Sequence, residues 1–165
     1  MISRKRLSSA WFPTTVLCAV LLLPGTAARA QQAPFAGMAG VWAGNGTITL
    51  EDGSSERIRC RATYAVSREG EGLNQSLVCA SDSYKFDLRS NVAASNGALS
   101  GTWSEVSRNV GGNLEGRASA GHFNVVVSAP AFTATVSLTT RGNKQTVSIT
   151  SQSQIKNATI SLSRS

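Results

Sequence analysis

Three observations predict an all-β chain: apolar residues alternating with polar ones at period two, turn signals roughly every ten to fifteen residues, and no convincing 3.6-residue period downstream of residue 30. Eight to ten short strands fit the pattern. An antiparallel up-and-down meander of that size disposes of its edge strands by closing into a small barrel. A two-sheet sandwich is the alternative arrangement of the same strands.

The first thirty residues stand apart. Arg4, Lys5 and Arg6 precede the apolar run Val16 to Leu23, and Ala28-Arg29-Ala30 supplies the small-x-small pattern of an export-signal cleavage site. A membrane span needs about 20 apolar residues, and this run is shorter and ends at Pro24-Gly25. A cleaved secretory signal over residues 1–30 is therefore expected, with a periplasmic or secreted product that does not span a membrane. Cys18 lies inside the apolar run behind Leu17 and does not fit a lipid acceptor. Residues 31–38 are expected to be a flexible lead-in, and 39–165 a single β-barrel domain.

Cleavage changes the charge. The whole chain of 165 residues carries +7, but Arg4, Lys5, Arg6 and Arg29 leave with the signal, so the remaining 135 residues carry +3. That surplus suits weak contact with an anionic envelope surface and does not suit a dedicated nucleic-acid groove.

The strands follow in order. Thr47 to Leu50 ends at Asp52-Gly53, a hairpin signal. In residues 56–68, Ile58, Cys60, Ala62, Tyr64 and Val66 share one face and Arg57, Arg59, Arg61 and Thr63 take the other, the pattern of a half-buried strand. Leu73, Leu77 and Cys79 fall in one phase of the next strand. A turn centred on Glu69-Gly70 places Val66 opposite Leu73, Tyr64 opposite Gln75, Ala62 opposite Leu77 and Cys60 opposite Cys79. Directly opposed antiparallel residues lie about 4.5–5.5 Å apart at Cα, within disulfide reach. Export to an oxidising compartment favours that bond. The chain has no C-x-x-C spacing and few further ligands, which disfavours a redox or metal pair.

Tyr84, Phe86 and Leu88 alternate with charged residues, and Ser95-Asn96-Gly97 turns the chain. Leu99 to Val106 carries Trp103. Asn109 to Asn113 reads as a glycine-rich loop before a strand over Leu114 to Ala120. Phe123, Val125 and Val127 precede Pro130, and Phe132, Ala134, Val136 and Leu138 alternate with threonines and serine. Arg141-Gly142-Asn143 leads into Val147 and Ile149, and Ala158, Ile160 and Leu162 form the last strand.

Two Gly-x-Trp triplets stand out, Gly40-Val41-Trp42 and Gly101-Thr102-Trp103. Glycine permits a tight strand bend while the indole plugs a barrel end. The segment Ala39 to Gly46 resembles the opening of the calycin group, the lipocalins, avidins and fatty-acid-binding proteins. That resemblance implies a barrel with an interior cavity, and Arg164 offers the arginine that would pack over the tryptophan. The chain departs from lipocalins in lacking a clear Thr-Asp-Tyr element and a terminal helix. Ser100 to Glu105 followed by Arg108 to Gly112 is similar to small exported alphaproteobacterial proteins of unknown function, which implies a compartment and brings no activity.

Catalytic patterns are sparse. His122 is the single histidine, so a His-rich metal site is excluded, and no Gly-x-Ser-x-Gly elbow accompanies it. Glu105 with Asp87 is a carboxylate pair of the kind glycan cleavage uses, yet nine acids supply many such pairs. No enzyme activity, metal or cofactor is expected, a hydrolase centred on His122 or on Glu105 with Asp87 being the least favoured alternative. Arg57, Arg59 and Arg61 read as a solvated outer face, without the interleaved aromatics that single-stranded nucleic acid requires. The expected function is binding of a small apolar or amphipathic ligand inside the barrel, with Trp42, Tyr64, Phe86 and Trp103 as candidate lining. The alternative is an envelope interaction protein with a packed interior and active loops such as Asn109 to Asn113.

Overall fold

The computed structural model describes residues 33–165. The expected export signal lies outside the described residues. Ten strands follow one another: β1 (Gly40–Leu50), β2 (Ser55–Val66), β3 (Gly72–Ala80), β4 (Lys85–Ser95), β5 (Ala98–Glu105), β6 (Val110–Ser119), β7 (His122–Ala129), β8 (Phe132–Arg141), β9 (Lys144–Ser151) and β10 (Ile155–Arg164). Each pairs antiparallel with its sequence neighbours, and β1 pairs with β10. The meander is a closed barrel and not a sandwich.

Period-two patterning sets which side chains turn inward. Along β2, Ile58, Cys60, Ala62 and Tyr64 are buried while Arg57, Arg59, Arg61 and Thr63 are exposed. The β2–β3 register pairs Val66 with Leu73, Tyr64 with Gln75, Ala62 with Leu77 and Cys60 with Cys79, as the turn at Glu69-Gly70 predicts. The disulfide Cys60–Cys79 is present, with Cα atoms 4.1 Å apart.

Two local expectations are corrected. Val110 to Asn113 is not a loop but the start of β6. A Cβ on Gly112 would lie 1.7 Å from the Ser128 carbonyl oxygen, so the glycine there marks a close approach of β6 to β7. Ala120 is not on a strand face; with φ 49° it forms a hairpin turn with Gly121, the left-handed pair that Asn96-Gly97 makes at the β4–β5 turn.

One end of the barrel is shut by the segment expected to be a flexible lead-in. From residue 33 it is packed instead: Phe35 and Met38 are buried, and Phe35 stacks on Phe123 with ring centroids 5.8 Å apart. The Phe35 N–H donates to Gly70 O, which ties the segment to the β2–β3 turn. Trp42 completes the closure. It is fully buried, its indole N–H donates to Met38 O at 2.8 Å, and the Arg164 guanidinium lies 4.4 Å over its ring. Arg164 also donates to the Gly37 and Ala39 carbonyls. The first Gly-x-Trp thus plugs an end, as expected, and Arg164 takes the packing role the calycin resemblance implies.

Candidate ligand-binding site

The interior is not filled. Inward apolar side chains on the far wall and toward the opposite end, among them Leu77, Phe86, Trp103, Val127, Val136 and Ile149, are only half-buried although they face the axis. They surround a cavity of about 470 Å³ that extends from Phe35 and Met38 at the floor to Tyr84, Arg108 and Phe132 at the mouth. That volume lies within the range of roughly 300–1,000 Å³ typical of small-molecule sites.

The mouth is aromatic. Tyr84 and Phe86 stack at 6.2 Å with planes 5° apart, and Arg108 lies 5.2 Å over the Phe86 ring. Trp103 and Phe132 meet at 5.6 Å across a 54° tilt. The second Gly-x-Trp plugs no end: Trp103 sits on the cavity wall. Gly101 beside it lets β5 press against β4, where a Cβ would lie 2.1 Å from Asn91 O.

Polar groups are few and specific. Tyr64 OH reaches across the barrel to donate to Gln145 Oε1 at 3.1 Å; burial raises the phenol pKa and the Gln145 bond opposes the rise. Ser90 Oγ donates to Gln75 Oε1 at 3.0 Å. Glu105 is buried at the mouth, and its carboxylate accepts from the backbone N–H groups of Asp87 at 3.0 Å and Arg108 at 2.6 Å. Burial pushes its pKa up, but these donors and those of Ser107 outweigh it and leave the carboxyl below the ordinary glutamate value.

Of the expected lining, Tyr64, Phe86 and Trp103 border the cavity together. Trp42 does not; it is spent on closing the floor, held by Met38 and Arg164. Sequence reasoning missed Gln145, Arg108, Phe132 and Phe35. The inward phase of β8 carried a signal for Phe132, whereas Gln145 interrupts an apolar face and is recognisable only once Tyr64 is opposite it.

His122 lies exposed on β7 with Nδ1 3.1 Å from Thr139 Oγ1. Glu105 and Asp87 are joined through a backbone N–H, and the Glu105 carboxylate is committed to holding the β5–β6 turn. Among the described residues no group of three His, Cys, Asp or Glu side chains is placed to hold a metal. No helix among them is long and apolar enough to cross a membrane.

Closed topology, plugged floor and hollow interior define a small antiparallel barrel of ten strands. No family model and no curated protein matches the chain. Solved structures do: Rv2717c from M. tuberculosis superposes with TM-score 0.63 at 11% identity, covering 81% of this chain and 94% of that one. The S-type phycobiliprotein lyase CPES from Guillardia theta superposes with TM-score 0.58 at 9% identity, covering 79% of this chain and 90% of that one. At such identities the likeness is one of fold.

Proposed function

We propose that this is an exported, non-enzymatic binding protein that holds a small apolar or amphipathic molecule in its barrel. The observation that carries the reading is the half-buried apolar wall around the cavity of about 470 Å³. Leaving so much inward apolar surface uncovered costs about 25 cal/mol per Å², and a bound apolar molecule would recover it. The Cys60–Cys79 bond and the signal-like residues 1–30 support delivery to the periplasm or beyond. The test is native mass spectrometry of the mature protein purified from its own host, followed by denaturation to release what it carries. A stoichiometric small molecule is expected. A bare protein that also fails to take up hydrocarbon probes would overturn the proposal.

A second surface has an observation of its own. Arg57, Arg59 and Arg61 project from β2 beside Thr47, Asn45 and Ala43 of β1, and none takes part in the ion pairs among the described residues. This unneutralised row supports weak contact of the outer wall with anionic envelope surface. Binding of the mature protein to vesicles rich in anionic lipid, lost in the triple Arg→Gln variant, is the expected result.

A further inference from the structure

Across β2 to β5 one inward row differs from the rows beside it. Tyr64, Gln75, Ser90 and Trp103 are cross-strand partners in turn, so four adjacent strands each bring a polar atom to the same register. Ala62, Leu77 and Leu88 lie next to the row toward the mouth, and Val66, Leu73 and Val92 next to it toward the floor. All four residues of the row border the cavity. The row runs obliquely from the floor, where Tyr64 stands edge-on to Trp42 at 6.5 Å, to the mouth, where Trp103 meets Phe132. Gln75 and Ser90 therefore sit part way down the cavity.

The two ends of the row offer a ligand no donor. Tyr64 OH is given to Gln145, and Trp103 Nε1 is shut off from solvent. The middle differs. Ser90 Oγ donates to Gln75 Oε1, which leaves the Gln75 amide N–H groups with no partner among the described residues and the Ser90 oxygen with its lone pairs. Unlike Trp103 Nε1, the Gln75 amide nitrogen is not closed off from solvent. A ligand that displaces water from this amide without replacing the hydrogen bond strands the donor, and one that places an acceptor there does not. A few such groups in an apolar pocket fix the orientation of what it holds. No residue of the row is charged, and Arg108 stands at the mouth over Phe86, so a charged head would be met there and not beside Gln75.

We infer that the cavity takes an elongated apolar molecule with a neutral carbonyl or hydroxyl oxygen part way along its body, held by the Gln75 amide beside the Ser90 hydroxyl; this rests on the ligand-binding reading above and specifies its ligand class. Hydrocarbon extends both ways from that oxygen, toward Leu73 and Val92 at the floor and toward Leu77 and Phe132 at the mouth.

The test is equilibrium dialysis of the mature protein against four probes of equal carbon number: dipentyl ketone, methyl nonyl ketone, undecane and undecanoate. The two ketones are isomers with nearly the same cost of leaving water, so their difference reads the position of the oxygen alone. Dipentyl ketone is expected to bind about three- to tenfold more tightly than methyl nonyl ketone, the range one net hydrogen bond supplies. Gln75→Leu keeps the bulk of the side chain and removes the amide, so it should bring the isomers level and leave undecane bound at least as well. The carbonyl stretch of bound dipentyl ketone should lie at lower wavenumber in the native protein than in the variant. Retained binding of undecane shows that the variant is folded; if it does not fold, the isomer preference of the native protein decides alone. Equal binding of the two ketones, a carbonyl stretch unmoved by Gln75→Leu, or undecanoate as the tightest ligand overturns the inference while leaving the binding cavity standing. If none of the four binds, the cavity reading falls and the inference with it.

Discussion

Filling the cavity separates a hollow barrel from a packed one by the sign of a stability change. Val136 is half-buried on β8, flanked by Val125 and Ile149, and borders the cavity. Val136→Phe adds four carbons on that wall. At full burial each is worth about 0.8 kcal/mol. The ring stays partly open toward the mouth and loses rotamer freedom, so the expected net gain is about 1 kcal/mol. For a domain of this size that raises the melting temperature by roughly 4 °C. In a filled interior the same insertion would cost about 1–3 kcal/mol and lower it instead. Thermal denaturation followed by circular dichroism gives the sign, and dialysis against isopropylnaphthalene gives the companion effect, a loss of binding as the space is occupied. A fall of about 4 °C or more with unchanged hydrocarbon uptake would refute the hollow interior.

The remaining predictions concern the frame. Replacing Cys60 and Cys79 together by Ala releases a closed loop of sequence separation 19 and should cost about 3 kcal/mol in the chain-entropy model, read as a lower urea midpoint; an unchanged midpoint would show that the bond adds nothing. Ala120→Asn puts at φ 49° a residue that accepts the left-handed region, as Asn96 does at φ 50°, and should stabilise by about 0.5–1 kcal/mol; a destabilised variant would count against the turn geometry. Glu105 has its carboxyl below the ordinary glutamate value, so its contribution is complete above the unfolded pKa and is lost as pH falls through the lower folded one. The urea midpoint of the native protein should decline across that acidic window, and Glu105→Gln should flatten the decline while being less stable at neutral pH. An identical slope in the variant would remove Glu105 from the linkage.

Topology and register were legible because one-sided burial leaves strands little freedom. Shifting β2 by a single residue would turn Arg57, Arg59 and Arg61 into the barrel and put Cys60 outside, so alternation and one turn position together set every pair from Val66–Leu73 to Cys60–Cys79. The errors came where a local signal has two physical causes. Glycine pairs punctuate turns, yet Gly111-Gly112 lies within β6, where Gly112 permits the Ser128 carbonyl to come close. Ala120 has good strand neighbours and sits in the left-handed turn because Gly121 follows it.

The floor and the hollow were harder to read for a deeper reason. An inward-facing residue has the same period whether its neighbours across the axis touch it or stand back, so alternation reports the face and not the space in front of it. Residues 33–38 carry two large apolar side chains without periodicity, and only the ring of Phe123 and the carbonyl of Gly70 give Phe35 a place. The tryptophans show the same limit. Trp42 and Trp103 share a Gly-x-Trp context, and their roles diverge through partners distant in sequence. Arg164 and Met38 O consume the valences of the first, whereas Phe132 packs on the second and leaves its N–H unspent. The motif therefore specifies an indole against a bent strand, and the partners it meets decide whether that indole closes the barrel or lines its cavity.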